Sequence, residues 1–123
     1  MSGKSQAFDF KKPVAYDAKA KRAFHNQARQ RLRELATALG LSRDEGDLRS
    51  NFAGIAVSGE ITLHGDHLYV QVSQPATGDD SGILFRSCEG REDYAGGANN
   101  FASLDLLNQP KELARLIKEK CGV

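Results

Sequence analysis

The chain has 123 residues, 40% hydrophobic and 27% charged, with a formal net charge of +1. A chain of that length buries roughly two-thirds of its unfolded surface, so one domain with its own core is expected. No run approaches the ~20 apolar residues of a membrane span, and the N-terminal MSGKSQAFDFKK lacks a signal peptide's apolar core, so a soluble cytoplasmic protein without a membrane partner is expected.

Two cysteines, Cys88 and Cys121, stand far apart in the chain, a usage that suits reduced thiols better than a disulfide framework. Charge is segregated along the sequence. Residues 1–33 carry nine Lys and Arg against Asp9 and Asp17, a balance of +7, whereas residues 34–123 carry eight against fourteen acids, a balance of −6. Such a basic segment either attracts a polyanion or docks on the acidic remainder of its own fold.

Residues 1–13, with Phe8 and Phe10 ahead of Pro13, read as a loosely ordered arm whose phenylalanines anchor on the single domain of residues 14–123. Asp17 has the chemistry of a helix cap. From Phe24 the apolar positions Phe24, Ala28, Leu32, Leu35 and Leu39 fall within an arc of about 80° at about 100° per residue, a narrow core seam that Gly40 terminates. Across the helix, Lys19, Arg22, Arg29 and Arg33 occupy another arc of about 80°, with Asn26 among them. A charged face opposite an apolar one is ordinary for a surface helix, but the absence of acids between Asp17 and Glu34 is not explained by amphipathicity alone. Ser42 and Glu45 have capping-box spacing, which predicts a helical turn over 43–48 as a connector.

The most patterned stretch is GIAVSGEITLHGDHLYVQV, residues 54–72. A Gly65-Asp66 pair suits a two-residue hairpin turn, which sets His64 opposite His67 and Leu63 opposite Leu68. Alternation then places Ile55, Val57, Ile61, Leu63, Leu68, Val70 and Val72 on one apolar face, and Ser58, Glu60, Thr62, His64, His67, Tyr69 and Gln71 on a polar one. Residues 74–82 form a loop around Pro75, Gly78, Asp79 and Asp80. Residues 83–88 read as a third strand with Ile83 and Phe85 inward; Leu84, beside Tyr69 and Gln71, implies partial cover for the back of the sheet. After the Gly/Asn-rich loop 89–101 comes a turn at Ser103–Leu107, and Pro110 opens a helix carrying Leu113, Leu116 and Ile117.

The fold expected is α+β: a two-layer sandwich in which a long N-terminal helix and a C-terminal helix cover one face of a three-stranded antiparallel meander, in α-β-β-β-α order. Double-stranded-RNA-binding domains share that order of elements, but the last helix begins NQPKELAR, without the basic cluster RNA contact through it would require.

Three constellations bear on function. HGDH at residues 64–67 offers two imidazoles and a carboxylate, short of a convergent metal set, so neither a metal nor another cofactor is expected. Cys88 at a strand end reads as a small buried hydrophobe rather than a nucleophile. Within the loop, Arg86, Arg91, Tyr94, Gly96, Gly97, Asn99 and Asn100 compose a possible nest for an anion; neither Walker spacing nor a dinucleotide fingerprint is present. The reading that follows is a small non-enzymatic binding protein that meets nucleic acid or an acidic partner through Lys19, Arg22, Arg29 and Arg33. The alternative is a protein-interaction module or small enzyme that uses loop 89–101.

Overall fold

The Asp17 carboxylate accepts a hydrogen bond from the Ala20 amide at 3.0 Å, and α1 runs from Ala18 to Ala38 behind that cap. The helix stops where Gly40 takes a φ of +79°, a conformation glycine adopts without steric cost. The computed structural model describes residues 7–75, 81–90 and 98–122. Glu45 accepts from the Ser42 amide at 2.9 Å, as the capping pair requires, but the turn is a single 3₁₀ turn over Arg43–Glu45. Instead of staying helical to Leu48, the chain then extends as β1, Gly46–Asn51.

The sheet has five antiparallel strands, not three. Its order follows the chain: β1, then β2 (Glu60–Gly65), β3 (Leu68–Ser73), β4 (Ile83–Ser87) and β5 (Asn100–Ala102). The expected meander is its centre. The two unexpected strands are its edges, and they lack the side-chain pattern that announces a strand. In GDLRSN only Leu48 is a large apolar residue, and β5 has three residues in all. Each is recruited by the unpaired hydrogen-bonding groups of the strand beside it. With five strands, the parallel with double-stranded-RNA-binding domains lapses.

The central register also differs from expectation. Leu63 pairs with Val70 and His64 with Tyr69, around a bend at Asp66 and His67. The displacement is two residues, one full pleat, so the inward and outward faces survive it. Gly65 does not take a turn's positive φ. It stands opposite Gly46 in β1, where a Cβ would lie 2.8 Å from the Glu45 carbonyl oxygen, so it is the approach of the turn leading into β1 that excludes a side chain. Ile55 and Val57 are a second correction: they belong to no strand and are exposed, in the loop of residues 52–59.

Phe24, Ala28, Leu32 and Leu35 of α1 are fully buried over the face formed by Ile61, Leu63, Val70, Val72, Ile83 and Phe85. Beside α1 lies α2, Pro110–Cys121, which adds Leu113 and Ile117; Pro110 occupies its first turn and Gly122 closes it in the left-handed conformation. Phe10 is also fully buried, edge-on to Phe24 at 6.0 Å. Its segment is fastened by side chains. Asn108 bonds both the amide and the carbonyl of Phe8, and the Gln74 amide group donates to the carbonyls of Phe10 and Lys12. Leu84, on the outer face, pairs across the strands with Phe101 of β5, itself exposed.

Because Leu35 is fully buried in the seam, Leu35→Ala is expected to cost ~2–5 kcal/mol through lost contacts and a cavity. An unfolding midpoint in urea equal to the parent's would show that α1 docks by another face.

Candidate functional site

The rotation of α1 that buries its seam turns the basic residues outward. Lys19, Arg22 and Arg33 are exposed, and none makes an ion pair among the described residues. Arg29 is half-buried, and its guanidinium donates to the Ser50 hydroxyl at 3.4 Å, along the helix side of β1. The structure therefore brings the four predicted residues to one flank, three of them as free cations. Acids do accompany other cations: Lys11 reaches Asp105 at 2.9 Å, and Arg31 reaches Glu34 at 3.4 Å.

Between seam and basic stripe, α1 grips the loop of residues 52–59. His25 is fully buried, with its Nε2 2.7 Å from the Ser58 carbonyl and its ring stacked on Phe52 at 4.0 Å. A carbonyl only accepts, so Nε2 carries the proton and Nδ1 the lone pair; Nδ1 is buried without a hydrogen-bond partner among the described residues. Lys21, also buried, donates from Nζ to the Gly54 carbonyl at 2.8 Å. Gly59 holds a φ of +74°, and a Cβ there would meet the Asn51 carbonyl oxygen at 2.2 Å and His25 Nε2 at 3.0 Å. None of this was legible in GIAVSG, whose alternation reads as a strand. The one available signal was the polar pair Lys21 and His25 at (i, i+4), the first in line with the apolar seam and the second beside it.

On the outer face of the sheet, Asp47, His64, Tyr69 and Arg86 stand in one row across four strands. The Arg86 guanidinium lies 4.6 Å from the Tyr69 ring centroid, and the Tyr69 ring meets His64 edge-on at 5.1 Å. His64 thus faces Tyr69, while His67 sits exposed in the bend, so the two imidazoles of HGDH are not cross-strand partners. Cys88 is buried, its Sγ 3.4 Å from the Gly65 carbonyl oxygen. Asp66, His67, Cys88 and Cys121 contribute to a cleft of about 540 Å³ floored by Leu39 and Leu68. Burial raises the Cys121 thiol's pKa, which disfavours the thiolate a nucleophile needs.

Of the alternative loop site, Arg91, Tyr94, Gly96 and Gly97 lie outside the described residues. Arg86 is buried against Tyr69, and Asn100 donates to the Phe85 and Ala98 carbonyls as part of β5; Asn99 is exposed. The described members thus face different surroundings and do not converge. Comparison of the chain with protein families, with characterised proteins and with solved structures finds no match. Its class rests on architecture: a two-layer α+β domain with one helix-covered face. Among the described residues, no helix is long and apolar enough to cross a membrane.

Burial lowers the His25 pKa below its ordinary 6.5, and the charges of Lys21 and Arg29 push the same way against the Ser58 hydrogen bond. The unfolded chain therefore takes up this proton at a higher pH than the native state does. The contribution to stability is full above about pH 6.5 and is lost as pH falls through the folded value. Urea midpoints across that range should decline in the parent, and His25→Gln, which keeps an N–H for Ser58, should remove this part of the decline. An unchanged pH profile in the variant would place the titration elsewhere.

Proposed function

We propose that this protein is a binding module that takes a polyanion, with nucleic acid as the partner class, on the exposed face of α1. The observation that carries the reading is the set of unpaired cations Lys19, Arg22 and Arg33, with Arg29 beside them, on a helix that has no acid between Asp17 and Glu34. From Lys19 to Arg33 the helix rises about 21 Å, a length along which one strand of duplex DNA carries about six phosphates. Side chains on such a helix meet phosphates without reading bases, so contact by this face is insensitive to sequence. An acidic protein is the second partner compatible with the same charges.

Binding should weaken steeply with salt, with a log-log slope of about −0.7 to −0.9 per phosphate contact. Replacing Arg22, Arg29 and Arg33 by Gln is expected to lower affinity similarly across sequences and to flatten that slope by roughly two to three units. Fluorescence anisotropy with labelled single- and double-stranded DNA and RNA checks this. No binding by the parent at low salt would reduce the stripe to a solvated face. Preferential binding of polyglutamate would move the reading to an acidic protein.

A further inference from the structure

Six consecutive apolar residues, Phe52-Ala53-Gly54-Ile55-Ala56-Val57, are all exposed, and Ile55 is 67% exposed. A folded surface ordinarily avoids an exposed run of that length without one polar side chain. Of the five large apolar side chains exposed among the described residues, four gather here: Phe52, Ile55, Val57 and Tyr16, whose amide donates to the Ile55 carbonyl at 2.8 Å. Tyr16 and Ala53 hold positive φ of 62° and 51°, and no other non-glycine residue among those described does so. The fold sustains that strain at the two points that fix this loop in place.

Part of the loop's backbone is held by the protein itself. Lys21 Nζ meets the Gly54 carbonyl, Tyr16 the Ile55 carbonyl and His25 the Ser58 carbonyl, while the Ala53 amide donates to the Asn51 side chain at 3.0 Å. Those groups stay paired when the tips leave water, which lowers the cost of entering the interfacial region of a bilayer. Cations stand beside it. Arg22 lies about 60° around α1 from His25, and Lys19 about 120° on the same side, one turn nearer the helix start. Every residue from Phe52 to Val57 is exposed, so the apolar run stands out to solvent as a ridge. A ridge of apolar tips with cations on the neighbouring helix flank suits a bilayer interface, where the tips enter the acyl boundary and the cations meet headgroup phosphates.

We infer that loop 52–57 is a peripheral membrane contact, inserting Phe52, Ile55 and Val57 into the interface of an anionic bilayer while Lys19 and Arg22 engage its headgroups. In its use of those two cations it rests on the anion-binding reading of α1; the apolar loop is independent of it. Vesicle co-sedimentation of the full chain tests it, with phosphatidylserine-containing vesicles against pure phosphatidylcholine. The parent should sediment with the anionic vesicles. The Ile55→Ser, Val57→Ser variant should lose roughly tenfold in partitioning at an unchanged unfolding midpoint, and Lys19→Gln, Arg22→Gln should lose the anionic preference. A parent that binds nucleic acid but not anionic vesicles overturns the membrane contact and leaves the polyanion reading standing; binding of neither overturns both. Equal vesicle binding by the loop variant would reduce the contact to headgroup charge and refute insertion. A parent dimer that the loop variant converts to monomer would assign the ridge to a second copy of the chain.

Discussion

The rotational setting of α1 about its own axis governs this molecule. Phe24, Ala28, Leu32 and Leu35 must all face the sheet, and a helix satisfies that in one orientation only. Once the seam is fixed, every other position on the helix has its surroundings assigned. His25 comes to the edge of the seam, where it meets Ser58 and Phe52, while Lys19, Arg22 and Arg33 are turned to solvent. The burial of a few apolar side chains thus decides both which polar groups hold the loop and which cations are displayed.

A second constraint extends the sheet beyond its patterned centre. The hairpin of β2 and β3 has its own hydrophobic alternation, and β1 joins its open edge where Gly65 leaves room for the Glu45 carbonyl and Gly46 for the Leu63 side chain. Gly59 has the same function at the other end of the β1–β2 connection, where the Asn51 and Phe52 carbonyls and His25 leave no room for a Cβ. Between those two glycine contacts the chain must cross from the sheet edge to the flank of α1 and back. That path is the loop whose apolar side chains stay in water.

The two candidate surfaces are therefore adjacent for a structural reason. They share the first half of α1, which holds the loop through Lys21 and His25 and displays Lys19 and Arg22; Arg29 and Arg33 continue the stripe along the second half. His25 and Lys21 are polar groups accepted in a buried position because backbone carbonyls of the loop receive them. The arrangement ties the loop to the helix that carries the cations.

What the amino-acid sequence determined by itself is whatever repeats along one element. The period of α1 placed its seam and its cations, alternation placed the two faces of β2, β3 and β4, and Asp17, Gly40 and Pro110 marked helix ends, because caps and amphipathic periods are local physics. A shift of one pleat in the hairpin left those faces intact for the same reason. What only the tertiary structure decided is whatever depends on a neighbour. GDLRSN and Asn100–Ala102 are strands because β2 and β4 had open edges, not because of their own residues. Ile55 and Val57 look like strand residues in isolation, yet they lie outside the sheet because the chain is drawn aside to His25 and Lys21, over 30 residues upstream. Gly65 signals a turn when read locally and serves a strand contact when folded. A glycine is silent about which of its two freedoms, a positive φ or a missing Cβ, the fold will use, and only the arrival of the second backbone settles it.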